Sequence, residues 1–413
     1  MSPVSRAHTL RLAAVVVLVG SGVAVASARP SIARPRAAST AVADYEWRLP
    51  PGFPRPRVPA DNPMSEGKVE LGRRLFYDVR LSGNQTFSCA SCHQQARAFA
   101  DALPRGVGST GEVHPRGSMS LANVAYSPAL TWANPNMKRL EQQALVPMFG
   151  ESPVELGLAG KDDELLARLR GDADYPRLFA ESFPSDAAPI SLVNITRALA
   201  AFERTLISGN SPYDRFERGD TSALSPAARR GAQAFFGETL ECFHCHGGFN
   251  FTNTVDFVGK GFVEVEFHNT GLYNLRGTGA YPADNPGLKE HSGDPADMGK
   301  FKAPTLRNIA VTAPYMHDGS VRTLAEVIAH YAAGGRTVHA GPNAGVGRRN
   351  PYKSGFVKGF TLTPRERADL LAFLHSLTDS SFLADPRLAN PFARPAAPGA
   401  AHAAPSGAPS RDR

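Results

Sequence analysis

All four cysteines of the chain fall in two short runs, Cys89-Ala90-Ser91-Cys92-His93 and Cys242-Phe243-His244-Cys245-His246. Two thiols three residues apart on one helical turn can each form a thioether to a haem vinyl group, and the residue that follows can offer its imidazole to the iron. CxxCH is therefore the attachment signature of c-type haem, and here it occurs twice with no cysteine left over. A single zinc ion held by four thiolates would use the same cysteines, but it gives no reason for a histidine after each pair. Two disulfides fit less well, because a CxxC loop is tight and readily reduced. The chemistry to expect is redox chemistry at two covalently held haems, with His93 and His246 as iron ligands.

Composition fits an exported globular protein. The chain has 413 residues, enough for two compact domains. Arg6 and Arg11 precede an apolar run from Leu12 to Val19 and then the small residues Ala26-Ser27-Ala28. This is a secretory leader over 1–28, and it implies a periplasmic location; left uncleaved, the same run would be a membrane anchor, though it is short for a span. The net charge of +7 belongs to the ends: residues 1–60 carry eight Lys/Arg against two Asp/Glu and residues 381–413 four against two, so 61–380 is left at −1. A nearly neutral body excludes a nucleic-acid partner.

Around the two motifs the pattern is mainly helical with little β. Residues 29–62 are a Pro/Arg-rich lead-in. Ser65 caps a helix bearing Val69, Leu75 and Phe76, and the first haem motif follows. Residues 94–135 carry Gly106, Gly108, Gly111, Pro115 and Gly117, so they are mostly loop; a loop this long is usually functional, and it is expected to wrap a haem. Leu192, Ile195, Leu199, Phe202 and Leu206 mark an amphipathic helix. Gly209–Asp220 reads as a domain junction, and Ser225-Pro226 opens the helix ahead of the second motif. A Gly-rich stretch with a short β-like run, Phe262 to Phe267, comes next. Thr323 with Glu326, and Thr363 with Glu366, start two late helices. The order helix, CxxCH, long loop appears twice, which predicts two tandem cytochrome c-like domains, 63–217 and 218–380, followed by a disordered tail, 381–413.

With Phe301-Lys302-Ala303-Pro304-Thr305-Leu306-Arg307-Asn308 and Ala313-Pro314-Tyr315-Met316-His317-Asp318-Gly319 added to the haem motifs, residues 63–380 resemble the bacterial dihaem cytochrome c peroxidase/MauG superfamily. The stretches His114–Asn123 and Glu141–Glu151 look most like its MbnH-type branch. The resemblance implies a set of roles. Tyr331, fourteen residues beyond His317, matches the second axial ligand of the second haem; peroxidases of the superfamily carry methionine there and MauG-like members tyrosine. A phenolate is a hard, anionic donor that favours oxidised iron, whereas a thioether raises the potential. The plain alternative for Tyr331 is packing on the helix face it shares with Leu324 and Ile328. At the first haem, Glu155 matches the catalytic glutamate and Gln143 the glutamine of the same pocket. Their spacing is longer than in the peroxidases, and Glu151 is the rival. Trp132 matches the tryptophan between the haems, an electron relay that lets both irons share a bis-Fe(IV) state. Ser109 stands where some members place a blocking histidine, so the first iron is expected to be open; His114, several residues off, is the only imidazole in that loop. A calcium ion between domains would use the Thr312 and Pro314 carbonyls, with Gly117 where an asparagine is expected and backbone carbonyls or Asn123 as substitute donors.

These features lead to an enzyme that uses hydrogen peroxide to oxidise a residue, tryptophan to kynurenine, on a periplasmic copper-binding partner of the MbnP type. The competing reading is a cytochrome c peroxidase that reduces peroxide with electrons from a small cytochrome. A non-catalytic dihaem electron carrier is the third, and it leaves Glu155 and Gln143 without a purpose.

Overall fold

The computed structural model describes residues 45–393. The expected leader, the first part of the lead-in and the end of the tail lie outside the described residues. The described chain is mostly helical. Its ladders are two-residue antiparallel pairs, Phe267–His268 with Phe301–Lys302 and Thr337–Val338 with Gly345–Val346. The run expected to be β-like from Phe262 to Phe267 is strand only at its last residue, because a strand needs a neighbour to take its backbone hydrogen bonds; Phe262 is exposed.

The helix starts follow the capping chemistry. Ser65 Oγ accepts from Lys68 N–H at 3.3 Å and opens Glu66–Tyr77. Ser225 Oγ accepts from Ala228 N–H at 3.1 Å, with Pro226 at the first position of Pro226–Phe235. Thr323 and Glu326 close a reciprocal box ahead of Leu324–Ala332, and Thr363 and Glu366 do so ahead of Pro364–His375. Gly334, at φ 68°, ends the first of these in the left-handed conformation that glycine adopts freely.

Two helix crossings have the same construction. Glu66–Tyr77 crosses Leu192–Glu203 at Gly72, where a Cβ would sit 1.9 Å from the Ala198 carbonyl oxygen and 2.9 Å from the Phe202 Cβ. Pro226–Phe235 crosses Pro364–His375 at Gly231, where a Cβ would sit 2.0 Å from the Asp369 oxygen and 2.9 Å from the Phe373 Cβ. Each crossing is sealed by an asparagine at positive φ, Asn123 at 60° and Asn308 at 61°, a conformation asparagine tolerates. Asn123 N–H donates to Leu206 O and its Oδ1 accepts from Ser208 N–H at 2.7 Å. Asn308 N–H donates to Leu377 O and its Oδ1 accepts from Asp379 N–H at 2.7 Å.

Two apolar cores follow. One gathers Leu71, Leu75, Phe76, Phe99, Leu199 and Phe202; the other gathers Phe235, Phe251, Tyr281, Ile328, Leu370 and Phe373. The Gly209–Asp220 junction is tied by polar groups rather than left loose. Asp379 Oδ2 accepts from Gly209 N–H at 3.0 Å and Asn210 N–H at 2.8 Å, and Asp214 pairs with buried Arg307 at 2.9 Å.

The tail begins later than expected. Residues 381–393 are placed against the first core: Phe382 and Leu388 are buried in it, Tyr77 Oη donates to Leu388 O at 2.7 Å, and Gln95 Nε2 donates to Asp385 O at 2.8 Å. The Pro/Ala-rich composition that suggested disorder sets in only beyond these anchors. The lead-in likewise packs from Pro50 onward without becoming helical: Phe53 contacts Phe249 at 4.9 Å between centroids, and Arg307 lies 4.9 Å over the Phe53 ring.

Candidate active site

Ser88 caps the single turn Cys89–Cys92, which ends at His93. The second pair lies on the turn Phe243–His246 with Cys242 as its cap. All four thiols are free. Among the described residues the one grouping of three metal-ligating side chains is Glu238, Glu241 and His244. The four cysteines therefore do not converge on one point, as a zinc site requires. Burial pushes the Cys92 and Cys245 thiols up to about 11 and Cys242 up to about 12, and raises Cys89 as well. A redox CxxC would show the opposite shift.

Each motif histidine is half-buried, with its Nδ1 held by a backbone carbonyl. His93 Nδ1–H donates to Phe99 O at 2.8 Å, and His246 Nδ1–H to Phe251 O at 3.1 Å. Burial pulls the His246 imidazole down to about 4 and lowers His93. A carbonyl holding Nδ1 fixes the tautomer and leaves Nε2 as the ring atom for a metal.

Near the first pair, Glu155 is half-buried and its charge acts on both Cys89 and Cys92. Burial alone raises its carboxyl above the ordinary range. The Glu155 segment is stitched to the helix that follows Gln143, by Leu156 N–H to Pro147 O at 2.8 Å and Leu158 N–H to Met148 O at 2.9 Å. Gln143 is half-buried on the adjoining turn, Leu140–Gln143. Glu151, the rival, is exposed. Ser109 lies against the same segment, its N–H donating to Glu155 O at 2.7 Å. His114 is placed elsewhere: its Nδ1 accepts from Arg116 N–H at 3.1 Å, and the charges acting on it are Arg116 and Glu290.

The second pair opens onto a cavity of about 300 Å3 lined by Cys242, Cys245, His246, Trp132, His317 and Tyr331. The stretch Gly117–Val124 of the long loop lines the same cavity, so that loop reaches from one thiol pair to the other. Tyr331 sits on the inner face of Leu324–Ala332. Burial raises its phenol, and the Cys245 and Cys242 thiols add to the shift. Its hydroxyl has no hydrogen-bond partner among the described residues, and only a neighbouring cation would draw off its proton. Trp132 Nε1–H donates to Gly117 O at 2.9 Å, which fixes the indole in the wall.

This wall fits a haem: half-buried thiols held in the neutral form, an oriented imidazole, and an unpaired phenol lining the same space. His317 adds a further unpaired polar atom. It is buried, stacked 3.7 Å from Phe301, lowered by burial to about 4, and its Nε2 has no partner. Lys302, buried and pulled down to about 8, also lines the cavity and donates to Ser127 Oγ at 3.0 Å. Neither residue stands out in the sequence except as part of the quoted family segments. Thr312 and Pro314 line the cavity too. A calcium ion on their carbonyls would need its third donor from somewhere other than Asn123, whose carboxamide is committed to Ser208 and Asn250.

Comparison with known proteins agrees with this geometry. The family model for di-haem cytochrome c peroxidase matches residues 66–222. The chain is 33% identical over 333 residues to the methylamine utilization protein MauG of Methylorubrum extorquens, covering 80% of this chain and 83% of that one. It is 35% identical over 373 residues to the cytochrome-c peroxidase IdrP1 of Denitromonas iodatirespirans, covering 85% and 93%. The crystal structure of a MauG-like protein associated with microbial copper homeostasis superposes with a TM-score of 0.83 at 51% identity, covering 84% of this chain and 100% of that one.

Proposed function

The chain belongs to the di-haem cytochrome c peroxidase/MauG family and is a peroxide-dependent di-haem oxidoreductase, and from that premise we propose that it oxidises a residue of a partner protein rather than a small electron-donor cytochrome. The observation that carries this is Tyr331, whose unpaired hydroxyl lines the second thiol cavity where peroxidases of the family present a methionine. Cys89, Cys92 and His93, and Cys242, Cys245 and His246, would each hold one covalent haem, in two tandem cytochrome c-like domains, and Tyr331 would offer its phenol oxygen to the second. The haems, when bound, take two oxidising equivalents from each hydrogen peroxide.

The chain's own residues do the rest. Glu155, lifted by burial and free of any salt bridge among the described residues, accepts a proton from incoming peroxide and returns it to the leaving oxygen. Gln143 orients that exchange from the adjoining turn. Trp132 passes electrons across the wall between the two sites. The partner is a periplasmic copper-binding protein of the MbnP type, and the residue oxidised is a tryptophan, converted to kynurenine. The MauG-like relative associated with copper homeostasis supports this choice. The periplasmic location rests on the leader sequence; no helix among the described residues is long and apolar enough to cross a membrane.

The test mixes holoenzyme and peroxide with the candidate partner, and separately with reduced cytochrome c. A mass increase on a partner tryptophan with slow cytochrome oxidation is expected. Fast catalytic oxidation of the cytochrome with an unmodified partner returns the chain to the peroxidase reading.

A further inference from the structure

A file of aromatic rings leads away from the second cavity. Phe301 and His317, stacked 3.7 Å apart, form part of the cavity wall. Tyr281 lies 6.3 Å from each of them, and Tyr273 lies 5.4 Å beyond Tyr281. The two tyrosines differ in what their hydroxyls meet. Tyr281 Oη donates to the neutral carboxamide oxygen of Asn269 at 2.9 Å and accepts from Leu272 N–H. Tyr273 Oη donates to the carboxylate of Asp318 at 2.6 Å, in the range of a charge-assisted O–H···O− bond. Arg336 lies 4.6 Å over the Tyr273 ring and donates to Ser320 Oγ at 2.8 Å, so this end of the file stands beneath exposed Ser320.

We propose that Tyr273, with Asp318 as its proton acceptor, is a redox-active tyrosine that carries oxidising equivalents from the second haem site toward the surface around Ser320 and Arg336. The inference rests on the peroxide-driven reading above and extends it to a route out of the protein. A phenol loses its proton when it loses an electron near neutral pH, so a tyrosine serves as a stepping stone only where a base takes that proton. Tyr273 gives one electron to the peroxide-derived oxidant and its phenolic proton to Asp318, leaving a neutral phenoxyl and a carboxylic acid. A partner residue then returns one electron, and Asp318 returns the proton. Two such passages deliver the two electrons that reduce one peroxide to two waters, and the two protons consumed come from the oxidised partner residue or from solvent.

The bland alternative is a tyrosine–aspartate bond that only anchors the loop. Tyr175 offers that comparison within the same chain. It donates to Asp78 at 2.6 Å, but Asp78 is tied by a 2.7 Å salt bridge to Arg80, and Tyr175 is packed in the first core, away from the cavity wall. Asp318 makes no salt bridge among the described residues and accepts otherwise from Ser320 N–H at 3.1 Å.

The experiment treats holoenzyme with hydrogen peroxide, without partner, and freezes it for EPR, using protein grown on ordinary or ring-deuterated tyrosine. A tyrosyl signal that narrows on deuteration is expected. It should be lost in Tyr273→Phe, lost or sharply weakened in Asp318→Asn, which keeps the ring in place, and retained in Tyr175→Phe. Haem content and melting temperature confirm that each variant is folded. The absence of a tyrosyl component in the wild type, or a signal unchanged in Tyr273→Phe or in Asp318→Asn, overturns the assignment. No partner is present in this experiment, so a tyrosyl signal here together with an unmodified partner in the mixing test above would sink the partner reading and leave Tyr273 standing.

Discussion

Replacing Tyr331 by phenylalanine separates an iron ligand from a packing residue by the sign of its effect. The ring lines the cavity wall, and its hydroxyl has no hydrogen-bond partner among the described residues. Leaving a buried polar group unpaired costs about 1–3 kcal/mol. Tyr331 is half-buried, so for a residue that only packs beside Leu324 and Ile328, removing the oxygen should stabilise the protein by at most that amount. At about 2–4 °C per kcal/mol for domains of roughly 150–250 residues, the packing role predicts a melting temperature several degrees higher and unchanged spectra. A ligand role predicts the reverse: a lower melting temperature, and a resting ferric EPR spectrum in which the low-spin signal of the second haem is altered. Haem stoichiometry stays at two per chain in both cases, because the thioethers of Cys242 and Cys245 do not involve residue 331. Calorimetry and EPR on the same holoprotein preparation decide the matter. A variant that melts higher with the wild-type spectrum removes Tyr331 from the iron, and the preference for a protein substrate falls with it.

Other perturbations follow from the same geometry. Glu155→Gln should lower the rate of reaction with peroxide by about 10²–10⁴-fold, the usual contribution of a positioned acid–base group, with two haems still attached; a rate within the scatter of wild type in stopped-flow would move the role elsewhere. Trp132→Phe keeps the ring volume but removes both the readily oxidised indole and its bond to Gly117, so sharing of oxidising equivalents between the sites, followed optically, should slow, and unchanged kinetics would count against the relay. Glu203, beside Cys89, is buried with Oε2 unpaired, and burial lifts its carboxyl from 4.5 to about 8, Arg204 opposing and Glu141 adding. The folded state thus holds a proton that the unfolded chain releases above its ordinary value. Its contribution is fully present below 4.5 and is lost as pH rises to about 8. At about 1.4 kcal/mol per pH unit that is at most about 5 kcal/mol. Glu203→Gln should flatten the fall in denaturant stability across this window and be the more stable protein above it; parallel pH profiles would refute the assignment. Gly72→Ala and Gly231→Ala must each push two helices apart, and each should destabilise by about 1–3 kcal/mol or more in thermal melts.

Much of the local structure was legible in the residues themselves. Ser65, Ser225, Thr323 and Thr363 announce their helices because a cap is a bond between a side chain and an amide two or three positions on. The haem motifs are equally local, since two thiols and an imidazole must share one turn. Where the chain was misread, the deciding partner was distant. Phe262–Phe267 looked like a strand, yet only Phe267 finds one in Phe301–Lys302. The segment after 380 looked disordered by composition, yet Phe382 and Leu388 enter a core built from Leu71 to Leu206.

The candidate site divides the same way. Sequence by itself determined that two CxxCH turns exist, which histidines accompany them, and that the chain resembles a family of peroxide-using dihaem enzymes. Only the tertiary structure decided that the loop after the first turn lines the cavity of the second, that Tyr331 and Trp132 share that cavity, that Glu155 is half-buried while Glu151 is exposed, and that Asn123 is already committed. The reason is physical. Covalent attachment needs residues adjacent in the chain, whereas the tuning of an iron, the burial of an acid and a path for electrons depend on groups that meet only after distant helices have crossed.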